Sequence, residues 1–392
     1  MSRNTIKSAL AAALFCVCGL AAGSSMHAQS APHYKLDPTW PKVLPNNWIM
    51  ANATGLVIDK DDHIWIVHRP RMVAADDAGA ALTPPQSACC VPAPSVIEFD
   101  TQGNVLKSFG GPGWVPEWPT LEHGLFIDRE GNFWIAGNYL PANRQQLTAP
   151  PRPKEDPLDD RHLFKISPDQ KVLLQIGHPS NAPPNNQDTS MLGAPSEMYV
   201  DDDAHEVFVA DGYLNRRVVV YDSNTGEFKR GWGAYGIPLS QIDNGRLPPH
   251  DDPAAPPSKQ FRGPVISLDI SSDGLVYVGD GGGDRVQIFT KDGKFVKEYL
   301  IRPDSLAGFG SVWGTTFSRD KQQKYLYVSD GGNGMIHILN RADGTEVSSF
   351  GHKGREPGQF DSCERLALDS HGALYVTEVN HNTRMQKFVP VK

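Results

Sequence analysis

The stretch 266–289, ISLDISSDGLVYVGDGGGDRVQIF, contains the unit from which most of the chain is built. An apolar run reaches Ser271, the turn sequence SDG follows, and a run rich in β-branched and aromatic residues comes next. Short alternating runs that are separated by such turns are typical of antiparallel β-strands. The stretch therefore predicts a small sheet of short strands that are joined by tight turns.

Five other segments repeat this pattern. They are 54–69, 123–138, 196–222, 313–339 and 364–388. With the first unit included, the aligned Asp and Ser residues are Asp59, Asp128, Asp201, Ser271, Ser318 and Asp369. About four short strands per copy, at a period that falls to 40–50 residues, indicate a β-propeller. We therefore predict an all-β fold, with a single six-bladed β-propeller domain in residues 31–392.

The composition of the 392-residue chain agrees with this fold and excludes several functions. It has 37 Gly and 32 Pro, which suits many turns, and a formal net charge of -8, which disfavours a nucleic-acid-binding surface. Three Pro-rich insertions, 70–94, 138–161 and 234–260, lengthen some repeats and should be loops on one face. Tyr34-Lys35-Leu36 could supply the last outer strand and close the ring, which would remove exposed sheet edges.

The N-terminal segment, residues 1–30, has the pattern of a signal peptide. Arg3 and Lys7 precede an apolar run at 8–22, and the sequence AQS at 28–30 fits a cleavage site. No later stretch approaches the length of a membrane span. We therefore predict an exported, periplasmic or extracellular protein with no membrane span, and we expect a monomer.

Three cysteines remain after removal of that segment: Cys89, Cys90 and Cys363. An odd number in an oxidising compartment leaves at least one unpaired. The adjacent pair could form a strained vicinal disulfide, remain as two free thiols, or contribute one partner to Cys363.

The inner strand of each propeller blade lines the central channel, so the residues at its ends are the best candidates for a site. Five residues before each aligned Asp or Ser lie Thr54, His123, Ser196, Ile266, Trp313 and Glu364. Near the far end of the same strand we place Arg69, Asn138, Gly212, Tyr213, Gly281, Gly331 and Val379. We expect the polar members to converge, with Asn138 and Trp313 among the ligand-binding residues.

Two motifs connect these repeats to a known family. FGHKGREPGQF at 350–360 and DGYLNRRVVVYD at 211–222 resemble NHL-repeat signatures. Among NHL propellers, the chain resembles peptidyl-α-hydroxyglycine α-amidating lyase and its exported bacterial relatives. This resemblance implies a six-bladed propeller, and it implies a catalytic zinc ion bound by three histidines on alternate blades.

The resemblance is uneven across the site. Of the three zinc-ligand positions only His123 is a histidine, because Ile266 and Glu364 occupy the others. Arg69 and Tyr213 match the active-site Arg and Tyr, which implies catalytic roles for them. Gly281 replaces a second active-site Arg, and Arg365 replaces an Asp that binds calcium in the family.

Three functional hypotheses follow. The first is a divergent lyase-like enzyme that holds a small polar or carboxylate-bearing ligand with Arg69 and Tyr213. The second is a non-catalytic propeller that binds a peptide or protein partner. The third is a calcium-dependent lactonase with Glu364 and Asn138 among its ligands. His123 and Glu364 are the candidate metal ligands, and the metal would be zinc or calcium.

Overall fold

The computed structural model describes residues 31–140, 158–245, 247, 250 and 252–391. In this part of the chain almost all regular structure is β-strand, and the strands form six four-stranded antiparallel sheets. The predicted six-bladed β-propeller is therefore confirmed. The predicted signal peptide, residues 1–30, and residues 141–157 of the second insertion lie outside the described residues. None of the helices within the described ranges has the length and apolar character needed to cross a bilayer.

Blades 2 to 5 are each built from four consecutive strands, and in blade 1 a short strand of another sheet lies between the second and third strands; the innermost strand comes first in all five. In chain order the strands are β1 (His33–Asp37), β2 (Trp48–Ile49), β3 (Ala53–Ile58), β4 (Ile64–His68), β5 (Val91–Pro92), β6 (Val96–Phe99), β7 (Val105–Phe109), β8 (Glu122–Ile127), β9 (Phe133–Gly137), β10 (His162–Ile166), β11 (Val172–Gly177), β12 (Glu197–Asp201), β13 (Glu206–Asp211), β14 (Arg217–Asp222), β15 (Phe228–Trp232), β16 (Val265–Ile270), β17 (Leu275–Asp280), β18 (Arg285–Thr290), β19 (Phe295–Leu300), β20 (Gly314–Phe317), β21 (Tyr325–Asp330), β22 (Met335–Asn340), β23 (Glu346–Phe350), β24 (Cys363–Leu368), β25 (Leu374–Glu378) and β26 (Met385–Val391). Blade 1 is β3-β4-β6-β7, and blades 2, 3, 4 and 5 are β8–β11, β12–β15, β16–β19 and β20–β23.

Blade 6 is completed by the N-terminal strand. Its sheet has the order β1-β26-β25-β24, so β1 is the outer strand beside the last strand of the chain. Tyr34 and Leu36 pair with Pro390 and Phe388, and the Tyr34 hydroxyl lies 2.8 Å from the Tyr327 hydroxyl of blade 5. The predicted closing strand is confirmed, and it ties the two ends of the described chain into one sheet.

The apolar core lies between neighbouring blades because each sheet buries both of its faces. Between blades 3 and 4, for example, Phe208, Val220, Leu268 and Val276 pack in one buried cluster. Within blades, ion pairs with buried carboxylates join the end of the second strand to the start of the third. These pairs are Asp211–Arg217 at 2.7 Å, Asp280–Arg285 at 3.0 Å and Glu378–Arg384 at 2.7 Å. The RR pair at 216–217 thus includes a structural residue, Arg217, whose side chain is fully buried.

Apart from one short strand, β5, the regular structure of the insertions within the described ranges consists of short 3-10 helices. These are Pro70–Met72, Gly79–Ala81, Ala234–Gly236 and Leu239–Gln241, and a fifth, Gly281–Gly283, follows β17. In the first insertion β5 pairs in parallel with β2. Cys89 and Cys90 are joined in a vicinal disulfide there, whereas Cys363 is a free buried cysteine. Burial raises the pKa of the Cys363 thiol well above its ordinary value, so this thiol stays protonated.

Candidate functional site

One mouth of the ring brings together both sets of predicted site positions. The sequence interpretation placed Arg69, Asn138 and Tyr213 near the far end of the inner strands, and this placement is wrong. They follow the second strands β4, β9 and β13, which run antiparallel to the inner strands and return to the mouth where those strands begin. Both sets therefore lie at the same end of the channel, although the strand assignment was incorrect.

A cavity of about 130 Å³ lies at this mouth. It is lined by all six residues predicted to bind a ligand, act in catalysis or hold a metal: Arg69, His123, Asn138, Tyr213, Trp313 and Glu364. Pockets for drug-sized ligands usually measure about 300–1,000 Å³. The cavity therefore suits a small molecule or the terminal group of a larger one.

One wall of the cavity is apolar. Ile266, Trp313 and Val379 form a buried cluster there. The Trp313 indole nitrogen donates to the Gly310 carbonyl oxygen at 2.9 Å. Its single N–H is thus already used, and Trp313 offers its ring to a ligand rather than a hydrogen bond.

The floor of the cavity is formed by His123, Tyr213 and Glu364. His123 is buried, and its Nδ1 lies 2.7 Å from the Ser196 carbonyl oxygen. A carbonyl oxygen can only accept, so Nδ1 carries the ring proton and Nε2 keeps its lone pair. Burial lowers the pKa of His123 to about 4, and therefore the ring is neutral at neutral pH.

The Tyr213 hydroxyl donates a hydrogen bond to the lone pair of His123 Nε2. Its oxygen lies 3.0 Å from His123 Nε2, and with Nε2 unprotonated the tyrosine must be the donor. Burial raises the pKa of Tyr213, and the negative charge of Glu364 acts in the same direction. The phenol consequently stays protonated over the physiological range and can act as a proton donor.

Glu364 presents an unpaired acceptor to the same space. Its Oε1 lies 3.2 Å from His123 Nε2 and has no hydrogen-bond donor among the described residues. Burial alone would raise the pKa of Glu364, but the positive charges of Arg365 and Arg69 act in the opposite direction, and the pKa is lowered. This carboxylate oxygen thus faces the cavity as an open acceptor and favours a ligand that brings a proton.

Arg69 provides the positive charge of the cavity. Its Nε donates to the Glu122 carbonyl oxygen at 2.8 Å, and its Nη2 donates to Asn138 Oδ1 at 2.5 Å. The guanidinium makes no ion pair with any described Asp or Glu, Glu364 included, and its Nη1 contacts only the Met72 sulfur at 3.9 Å. A buried guanidinium held by neutral acceptors is suited to an anionic ligand.

Arg365 lies beneath the floor at the centre of the channel. Its Nη1 donates to the Trp313 carbonyl oxygen at 2.6 Å, and its Nη2 donates to those of Ser196 and Ile266 at 3.0 and 2.9 Å. Its Nε lies 2.7 Å from Glu197 Oε2. One side chain from blade 6 therefore binds backbone carbonyls at the start of the inner strands of blades 3, 4 and 5.

The sequence interpretation treated Arg365 only as a departure from a calcium-binding Asp and missed its role. The signal was faint, because its partners are mainly main-chain carbonyls, which every residue carries. The Ser196 carbonyl oxygen also connects Arg365 to the cavity floor, since that oxygen accepts hydrogen bonds from both His123 and Arg365. Arg365 is therefore a positioning residue for His123.

The donors at the floor do not fit the zinc site that the resemblance implies. A catalytic zinc ion takes three protein ligands, and Ile266 offers none at the third position. Within the described ranges, the only group of three His, Cys, Asp or Glu residues with ligand atoms close enough for one ion lies elsewhere, on blade 1. Calcium fits poorly as well, because Asn138 Oδ1 already accepts from Arg69.

Known proteins with similar sequences are amidating enzymes. The chain is 26% identical over 369 residues to peptidyl-glycine α-amidating monooxygenase B of Xenopus laevis, covering 92% of this chain and 36% of that protein. It is 29% identical over 358 residues to the Mus musculus monooxygenase, covering 88% of this chain and 30% of that protein. The chain thus spans about a third of the length of these relatives. No protein-family model matches it.

Solved structures show the same fold. A streptogramin B lyase superposes with a TM-score of 0.51 at 12% identity, covering 91% of this chain and 98% of the other. A catalytically inactive variant of virginiamycin B lyase from Staphylococcus aureus with quinupristin gives a TM-score of 0.50 at 12% identity, covering 92% and 100%. The chain is therefore a divergent propeller that is related in sequence to amidating enzymes and shares its fold with propeller lyases.

The Arg365 contacts lead to a testable expectation. Arg365→Ala should lower the free energy of unfolding by about 3–5 kcal/mol, because it leaves Glu197 and three carbonyl oxygens buried without their partner. Millimolar guanidinium, far below denaturing concentrations, should restore part of this loss by occupying the vacated position. Chemical denaturation monitored by tryptophan fluorescence measures both effects.

Arg319→Ala is the matched control, since Arg319 is exposed and lines the opposite mouth of the channel. It should change stability little, and guanidinium should not stabilise it. Equal stability of the Arg365→Ala variant and the wild type would show that the central guanidinium does not hold the blades.

Proposed function

We propose that this propeller is an exported lyase that cleaves the C–N bond of an N-acyl-α-hydroxyglycine or a similar hydroxyl-bearing carboxylate. The observation that carries the proposal is the arrangement of charge in the cavity. A guanidinium without an ion-pair partner, Arg69, shares a small cavity with an unsatisfied acceptor, Glu364 Oε1. A ligand with a carboxylate at one end and a hydroxyl at the other complements both.

The roles of the residues follow from their protonation states. Arg69 binds the carboxylate of the substrate, and Asn138 holds the guanidinium in place through the Oδ1 contact. Glu364, ionised because its pKa is lowered, accepts the proton of the substrate hydroxyl. Tyr213, protonated because its pKa is raised, donates a proton to the departing nitrogen.

The step balances without an oxidant or reductant. The hydroxyl oxygen loses its proton to Glu364, its electron pair forms the new C=O bond, and the C–N bond breaks. The amide nitrogen takes the proton of Tyr213, and the proton on Glu364 returns to the tyrosine oxygen through the adjacent His123 Nε2. The products are glyoxylate and a primary amide.

The sequence relatives support this choice of reaction. Their names describe amidation of peptidyl-glycine, and release of an amide from an α-hydroxyglycine is the chemistry of the lyase that this chain resembles. The apolar wall of Ile266, Trp313 and Val379 would contact the acyl group that the substrate carries. No step is assigned to a metal ion, because the floor lacks a third metal ligand.

We further infer export from residues 1–30. The exported chain should begin at Ala31, since the cleavage motif ends at Ser30. N-terminal sequencing of protein recovered from the medium or the periplasm measures this. An intact Met1 on the recovered protein would contradict the inference.

The lyase proposal predicts turnover of N-benzoyl-α-hydroxyglycine. Mature protein dialysed against a chelator should release benzamide and glyoxylate in equal amounts, as measured by chromatography. Arg69→Ala should raise KM by about 10-fold or more because the carboxylate loses a charged partner. Glu364→Gln and Tyr213→Phe should lower kcat by about 100-fold or more, because each removes a proton-transfer group.

Arg319→Ala at the opposite mouth is the control and should keep wild-type kinetics. Binding of the substrate without turnover would favour the non-catalytic propeller instead. Turnover that disappears on dialysis and returns only with added zinc would contradict the metal-free assignment of the floor.

A further inference from the structure

A second polar cluster lies on blade 1, apart from the cavity. It consists of Asp59, His63 and Glu98, whose potential ligand atoms all lie within 4.8 Å of one another. His63 Nδ1 is 2.7 Å from Glu98 Oε1 and 3.8 Å from Asp59 Oδ2. The lyase proposal uses none of these residues.

Comparison with the other blades shows that this cluster is unusual. Glu98 of β6 is the cross-strand neighbour of the aromatic residue Trp65 of β4. In blade 2 the neighbour of the matching Trp134 is Lys165, and in blade 6 the neighbour of the matching Tyr375 is Lys387. Two other blades thus carry a lysine where blade 1 carries a carboxylate. The matching residue is apolar in blades 3, 4 and 5, so blade 1 alone among the six places a carboxylate at this position.

Blade 2 shows what the lysine contacts. Lys165 Nζ lies 3.8 Å from Asp128 Oδ2, the oxygen that also accepts from the Trp134 indole at 3.0 Å. In blade 1 the equivalent oxygen, Asp59 Oδ2, accepts from the Trp65 indole at 2.8 Å. It then faces Glu98 and His63 rather than an ammonium group.

Glu98 itself is incompletely satisfied. Its side chain is only 3% exposed, and its Oε2 has no hydrogen-bond donor among the described residues. The nearest cation, Lys107 Nζ, is 3.7 Å away and is 73% exposed, so this pairing contributes little. A buried carboxylate oxygen beside a second carboxylate is stabilised by a nearby positive charge.

We propose that Asp59, His63 and Glu98 bind a divalent transition-metal ion of the Zn²⁺ class. One imidazole and two carboxylates form a donor set that such ions accept, and three protein ligands leave a position for water. A tetrahedral centre with bonds of about 2.1 Å separates its ligand atoms by about 3.4 Å. The observed separations of 2.7 and 3.8 Å bracket this value. His63 is 35% exposed, so the ion can enter from solvent.

Isothermal titration of the mature, chelator-treated protein with Zn²⁺ alone tests the proposal, together with metal analysis after gel filtration. The wild-type protein should bind one equivalent of Zn²⁺ per chain. His63→Asn, which introduces the residue found at Asn132 in blade 2, should weaken binding at least about tenfold. Glu98→Lys, which introduces the residue found at Lys165 in blade 2, should abolish binding and keep the fold.

Two further variants separate this site from others. His381→Asn removes an exposed histidine that forms an ion pair with Asp361, away from the cluster. His123→Ala alters the cavity floor. Both variants should still bind one equivalent of Zn²⁺ per chain. No saturable binding by wild type, unchanged binding by His63→Asn, or loss of binding in His123→Ala would overturn the proposal. If Glu98→Lys does not fold, His63→Asn alone decides.

Discussion

The contact of one guanidinium with the backbone of three blades is the interaction on which the site depends. Arg365 binds carbonyl oxygens of Ser196, Ile266 and Trp313 and carries the counter-charge of Glu197. Carbonyl oxygens that converge on a channel axis repel one another unless a cation binds them. A covalently attached cation needs no external ion, and it fixes the first residues of the inner strands relative to one another.

This constraint determines the state of the cavity floor. Because the Ser196 oxygen is held in place, it orients His123, and the proton on Nδ1 leaves Nε2 free to accept from Tyr213. Burial and the nearby arginines keep the imidazole neutral while Glu364 stays ionised. The floor thus combines a base, a neutral relay and a protonated phenol within hydrogen-bonding distance, which is the requirement for moving a proton between two atoms of one substrate.

The sequence predicted more of the fold than of the chemistry. Strand periodicity and turns recur six times, so the blade count and the closing strand around Tyr34 could be derived from residues alone. The residues that line the cavity could also be identified, because repeat alignment places Glu364 in one recurring set of positions and Arg69 and Tyr213 in a second. Arg69, Asn138 and Tyr213 were assigned to the inner strand although they follow the second strand, since alignment fixes positions along the chain but not the strand to which each residue belongs. Contacts to main-chain atoms, as at Arg365, leave no pattern in a single sequence.

The protonation state of His123 tests the central claim most directly. Nitrogen-15 NMR of histidine-labelled mature protein, with the signal assigned by comparison with His123→Gln, distinguishes the two ring nitrogens. We expect a neutral ring with its proton on Nδ1, unchanged between about pH 8 and about pH 5 because the pKa of His123 is lowered to about 4. A proton on Nε2, or titration near the ordinary histidine pKa of about 6.5, would contradict it.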